Sequence, residues 1–150
     1  MSSIDDLQER VEAFVRALGL HQPERTPCGE PISVSHAHAL TELAAQPLTQ
    51  AELARRLRLD RSVVSRLADV LIERGWLLRE RHPHDQRAVQ LVLTHAGRRA
   101  AARLAGARRA HMATLLDAVP VDEHEAVLHA LDVLTRGLAD PATIKEPHDA

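Results

Sequence analysis

The sequence predicts a mainly α-helical chain with one small β-hairpin, and three observations within residues 49–93 predict it. Thr49 and Glu52 form a T-x-x-E capping box that opens a short helix. After a tight connection at Arg58, Leu59 and Asp60, a second helix carries Val64, Leu67, Ala68 and Leu71 on one side at helical spacing. Gly75 ends that helix, and residues 77–81 and 88–93 then alternate as two strands around the turn HPHDQR. Two helices across a tight turn, followed by a charged hairpin, are the outline of a winged helix-turn-helix. Such a unit lays one helix against nucleic acid.

The totals agree with one ordinary domain. A chain of 150 residues with 45% apolar content can bury a real core, and 27% charged residues is near the globular average. No apolar run approaches the roughly 18 to 20 residues that cross a bilayer, and MSSIDDLQER is too acidic to begin a secretory signal, so a cytoplasmic protein is expected. The single Cys28 cannot form an internal disulfide, which suits a reducing compartment.

The net charge of −2 conceals an asymmetry: residues 49–99 hold eleven arginines against six acids, a local +5 that leaves −7 for the rest. A polyanion would be drawn to the middle of the chain. A solvated charged surface would give the same count, so the charge alone does not decide. Lys145 is the only lysine beside 18 arginines, and the arginine fork suits phosphate oxygens and guanine edges. Phe14 and Trp76 are the only aromatic residues, which disfavours stacking on single strands and points to duplex DNA.

The flanking segments read as helices. Ser3 with Asp6 gives a weak capping signal, and Leu7, Val11, Phe14 and Leu18 share one face until Gly19. Residues 21–31 carry three prolines and one glycine and read as a loop. Ser33 caps a helix that reaches Gln46, with Leu40, Leu43 and Ala44 inward. Asp60 is expected to cap the next-but-one helix through its carboxylate, leaving Arg61, Ser62, Ser65, Arg66 and Asp69 on the wet side. Trp76 is expected to plug the space beneath the hairpin. Thr94 restarts a long helix whose apolar side runs through Ala100, Leu104, Ala107, His111 and Leu115 to about Ala118. Beyond the break at Pro120, Val127, Leu128, Leu131, Leu134 and Leu138 form a wide leucine face. The tail from Asp140 has two prolines and no periodicity, so it is expected to fray.

Residues 59–98 carry a D-x-S-x-V-S-R-L helix at Asp60 to Leu67, then Glu73-Arg74-Gly75, Asp85-Gln86-Arg87 and Leu93-Thr94-His95-Ala96-Gly97. This pattern resembles the multiple-antibiotic-resistance regulator (MarR) family of bacterial transcription factors. The resemblance implies a homodimer, with dimerisation helices at about residues 4–19 and 98–139 and a winged helix-turn-helix at about 33–97. Leucine stripes at both ends of the chain independently ask for a partner. Two recognition helices would then enter successive major grooves about 34 Å apart on a pseudo-palindromic operator. By position, the resemblance assigns DNA contact to Arg61, Ser62, Ser65 and Arg66, and makes Arg87 the wing arginine with Asp85 holding it. A hairpin-stabilising ion pair between Asp85 and Arg87 is the plainer reading, and both can hold together. His82 and His84 near the tip are weaker candidates for phosphate, and Gln50 could reach phosphate by its side chain or through its helix N-terminus.

Members of the family usually repress and release DNA when a small molecule, an oxidant or a metal acts on them. A small organic effector is the family default. Cys28, His38 and His111 are the candidate pocket residues near the junction of lobe and dimer region, with Glu30 and His36 beside them. Against a metal, His36 and His38 stand two apart on a helix and point about 200° from each other. Against an oxidant, no second cysteine exists and Glu30 disfavours a thiolate. No cofactor or resident metal is expected. A metal hydrolase is the rival from another class, but H-E-x-x-H, a nucleophile elbow and a phosphate-cradling glycine loop are all absent, so no enzyme is expected. A winged helix that binds protein is the third reading, and the +5 segment speaks against it.

Overall fold

The computed structural model describes residues 2–139, so the tail predicted to fray and its Lys145 lie outside the described residues. The chain divides within its fifth helix into two compact units, Met1–His111 and Met112–Ala150.

The first unit begins with helix α1 (Ser3–Leu18), closed by Gly19 in the left-handed conformation at φ 83°. Its capping box uses Ser2 and Asp5, one residue earlier than the Ser3 and Asp6 expected. The Ser2 hydroxyl accepts from the Asp5 amide at 3.3 Å, and the Asp5 carboxylate accepts from the Ser2 amide at 3.2 Å. The Ser2 hydroxyl, which also donates to the Asp5 carboxylate at 2.8 Å, and then the Ser2 amide hold the Asp5 carboxyl below its ordinary pKa. No residue of α1 is buried. Residues 19–33 form turns, as the prolines required.

Helix α2 (Val34–Ala45) starts at the Ser33 cap, and Gln46 ends it. Leu40 and Leu43 point inward as expected, but Ala44 is exposed and Ala37 and Ala39 are buried instead. Ala44 falls at the margin of the apolar stripe in the last turn. Strand β1 (Leu48–Thr49) leads into α3 (Gln50–Leu57), where the capping box forms: the Glu52 carboxylate accepts from the Thr49 amide at 2.8 Å and the Thr49 hydroxyl from the Glu52 amide at 3.2 Å. Arg58 turns the chain in the left-handed region at φ 54°.

Helix α4 (Arg61–Glu73) buries Val64, Leu67, Ala68 and Leu71, the four residues its periodicity named. Asp60 occupies the N-cap position, but its side chain makes no capping bond. Strands β2 (Leu77–His82) and β3 (Asp85–Leu93) form the hairpin, which is longer than its sequence suggested. Its turn is only Pro83-His84, because Asp85 accepts from the Arg87 amide at 3.0 Å and the His82 ring from the His84 amide at 3.2 Å. The expected two strands are three: β1 pairs with β3 through Leu48–Leu91 and Thr49–Gln90, giving the antiparallel order β1-β3-β2. Two residues are too short to show alternation, so pattern reading passes over β1.

Leu40, Leu53, Val64, Leu71, Leu77 and Leu91 are the largest fully buried side chains, drawn from α2, α3, α4, β2 and β3. One core therefore fixes both helices of the helix-turn-helix against the sheet. Helix α5 (His95–Asp117) is joined to the same core by its first turns, where Gly97, Ala100, Ala101 and Leu104 are buried. The Thr94 hydroxyl donates to the Gly75 carbonyl at 2.6 Å and accepts from the Gly97 amide at 3.0 Å, while the Thr94 amide donates to the Trp76 carbonyl at 3.0 Å. A Cβ on Gly97 would stand 1.9 Å from that Trp76 oxygen, so the position admits only glycine without rearrangement. The L-T-x-x-G sequence is thus the joint between α5 and the α4–β2 turn.

In the second unit the remainder of α5 is followed by a 3-10 turn (Val121–Glu123) and helix α6 (His124–Ala139). The His124 ring shares hydrogen bonds with the Val119 and Leu116 carbonyls at 2.9 and 3.1 Å, closing the turn after Pro120. No residue of α6 is buried. Among the described residues, no helix is long and apolar enough to cross a membrane.

Candidate nucleic-acid interface

The buried face of α4 decides what its other face presents. With Val64, Leu67 and Leu71 turned into the core, Arg61, Ser62, Arg66 and Asp69 are exposed and Ser65 is half-buried. Ser62, Ser65, Arg66 and Asp69 recur at three- and four-residue steps, so they form one outward stripe. Arg61 and Arg66 take part in none of the ion pairs of the described residues. Their guanidinium groups stand available to an external anion, and hydroxyls beside them can donate or accept at base edges.

The wing places Arg87 on β3, exposed. Asp85 does hold this segment, but through the Arg87 amide; no ion pair joins their side chains. The hairpin-stabilising ion pair expected from the sequence is therefore replaced by a side-chain-to-backbone bond, which leaves the Arg87 guanidinium free. His84 is exposed at the tip with its ring edge-on to His82, centroids 6.1 Å apart. Gln50 begins α3, and its Oε1 accepts from Arg79 Nε at 3.4 Å. The capping box already fills the α3 N-terminus with the Glu52 carboxylate. Chiefly the bond from the Thr49 amide holds that carboxyl below its ordinary pKa. A fixed negative charge there repels phosphate, so only the Gln50 side chain could serve as a contact.

Sequence reading missed Arg79. It bridges Asp69 on α4 at 2.9 Å and Gln50 on α3, joining the hairpin to both helices. The signal was present as an arginine two residues beyond the buried Leu77, on the face of β2 that alternation turns inward. Trp76 is half-buried and packs against the core, with the Arg74 guanidinium 5.1 Å from its ring centroid.

The three candidate pocket residues lie on different elements: the 26–30 turn, α2 and α5. Cys28 packs beside the core in the 26–30 turn, its sulfur 3.0 Å from the Thr26 hydroxyl. His38 is exposed on α2 and lines a small cleft of about 220 Å³ with Ser35, Glu42, Arg56, Leu57 and Leu59, without Cys28 or His111. Desolvation chiefly, with Arg108 nearby, lowers its pKa against a raising effect of Glu42. His111 is half-buried far along α5. Among the described residues, no three His, Cys, Asp or Glu side chains are grouped to hold a metal ion. His36 instead serves its own helix: its amide donates to Ser33 Oγ at 3.2 Å, its Nδ1 bonds the same hydroxyl, and its Nε2 is buried without a protein partner. Burial first, and the Arg74 charge second, keep its pKa below the ordinary value.

Residues 31–88 match the family model of the MarR family, which spans α2 to the wing. Over that stretch the chain is similar to the MarR family. Solved structures carry the same fold over nearly their whole length. A FabT structure from Streptococcus pneumoniae, in complex with DNA, is 20% identical, covering 92% of this chain and 99% of that one with a TM-score of 0.75. A probable transcriptional regulator from Pseudomonas aeruginosa is 22% identical over 89% and 97% of the two chains, TM-score 0.68. The zinc-responsive MarR family member ZitR from Lactococcus lactis is 21% identical over 91% and 99%, TM-score 0.66. No curated protein sequence matches the chain significantly.

Proposed function

We propose that this chain is a MarR-family, sequence-specific, ligand-responsive DNA-binding transcriptional regulator of the cytoplasm, and that it represses as a homodimer on a pseudo-palindromic operator. One observation carries the reading: the core of the winged lobe holds α4 so that Arg61, Ser62, Ser65 and Arg66 line its outward face, with both arginines outside any ion pair of the described residues. In this reading those four residues meet the major groove, Arg87 enters the minor groove beside it, and Gln50 and His84 touch the backbone. The same fold in the DNA complex of FabT supports it.

The homodimer is supported by α1 and α6, which bury nothing within one chain although Phe14, Leu131 and Leu134 line them. Dimerisation through residues 4–19 and 98–139 would cover those faces, and a twofold pair of lobes explains why an operator would be pseudo-palindromic. A small organic effector remains the proposed trigger. Among the described residues no group of His, Cys, Asp or Glu side chains could hold a metal ion, so nothing within one chain supports a metal as the trigger.

A gel shift with duplex from the protein's own upstream region, at two salt concentrations, tests the reading. We expect preference over random duplex, and its absence overturns the proposal. Arg66→Ala and Arg87→Ala should each weaken binding with the oligomeric state unchanged. Unaltered affinity in both removes them from the interface.

A further inference from the structure

We propose that Arg79 is the positioning residue of this interface, fixing the wing to the helix pair and neutralising Asp69 on the outward stripe of α4; the proposal rests on the DNA-binding reading above. Asp69 stands one turn beyond Arg66 on that stripe, so its bare carboxylate would face the same phosphates that Arg66 attracts. Arg79 Nη2 lies 2.9 Å from Asp69 Oδ1, and Arg79 Nε lies 3.4 Å from Gln50 Oε1. One planar guanidinium therefore ties strand β2 to the third turn of α4 and to the first residue of α3.

The hairpin is anchored at its base by buried Leu77 and by the Thr94 bonds to Gly75 and Trp76. Arg79 is the next inward position toward the tip, where a small change of angle moves Arg87 most. The two side chains are 36% and 63% exposed, and ion pairs that open to water add little to stability. Its consequence is therefore geometric and electrostatic. The contact also occupies the charge of Arg79, which separates it from Arg61, Arg66 and Arg87.

The test uses the full chain with Arg79→Ala, Arg79→Lys, Asp69→Asn and the Arg79→Ala/Asp69→Asn double variant. The probe is fluorescein-labelled duplex from the protein's own upstream region. Arg79→Ala should weaken binding several-fold, whereas the loss of a direct phosphate contact would be the same with or without the Asp69 charge. Asp69→Asn should restore part of the affinity lost in Arg79→Ala, and Arg79→Lys should keep more than alanine does. Strictly additive effects of the two substitutions overturn the proposal. Amide hydrogen exchange without DNA provides a separate arm: Arg79→Ala should speed exchange in β2 and β3 while the melting temperature of the lobe stays put. Unchanged exchange there overturns the positioning role. If exchange responds but wild type ignores every duplex, the clamp stands and the DNA reading falls.

Discussion

In the winged lobe Leu40, Leu53, Leu71 and Leu91 are fully buried within one chain, whereas α1 and α6 bury nothing and leave Phe14 47% and Leu134 43% exposed. Helix α5 changes character along its own length, from buried Ala100 and Leu104 to exposed Met112 and Leu115. The difference teaches that this sequence encodes two kinds of hydrophobic surface. One closes on itself to make a platform for α4, and the other leaves apolar side chains of α1 and of α6 exposed within one chain.

The strongest test of that contrast sets Leu53→Ala against Leu134→Ala. Leu53→Ala should destabilise the lobe by about 2–5 kcal/mol in denaturant unfolding. Leu134→Ala should leave lobe unfolding nearly unchanged but shift the monomer–dimer equilibrium, read by sedimentation at several concentrations. Equal effects of both on lobe unfolding would erase the distinction. Next in size is Gly97→Ala, which drives a methyl group against the Trp76 carbonyl. A loss of about 1–3 kcal/mol is expected from such overpacking, and a neutral variant would show that the α5 joint is not tight. Thr49→Ala removes half of the α3 capping box and should cost about 0.5–2 kcal/mol by thermal melting.

The smallest effect is a pH dependence confined to the lobe. His36 titrates below its ordinary 6.5 because burial disfavours its charged form. Its neutral state therefore contributes stability that is full above that value and lost as pH falls from it through the lowered folded pKa. His38 is shifted the same way and shares the window, while Glu52 and Asp5 act only in the lower carboxylate range. His36→Gln should flatten the decline in melting temperature on acidification, and the His36/His38 double variant should flatten it further. A wild-type melting temperature that does not fall across this window would contradict the assignment.

Much of the lobe was legible because its signals are local. The four buried residues of α4 follow from periodicity, and Thr49 with Glu52, Ser33 and Gly75 mark element ends by chemistry within a few residues. Asp60 shows the limit: the residue type fits a cap, yet its side chain makes no such bond, because rotamer choice is not written in spacing. The wet face of α4 was equally readable, since it is the complement of the buried stripe.

What the amino-acid sequence determined by itself is therefore the order of elements, the capped helix pair and the stripe of Arg61, Ser62, Ser65 and Arg66. Only the tertiary structure decided that β1 joins the sheet, that Asp85 holds the Arg87 amide and that Arg79 spans Asp69 and Gln50. Helical periodicity and capping act over one or two turns, so they leave a trace in the linear chain. A contact between residues 50 and 79 depends on how three elements are oriented by a shared core, and residue spacing carries no record of that orientation.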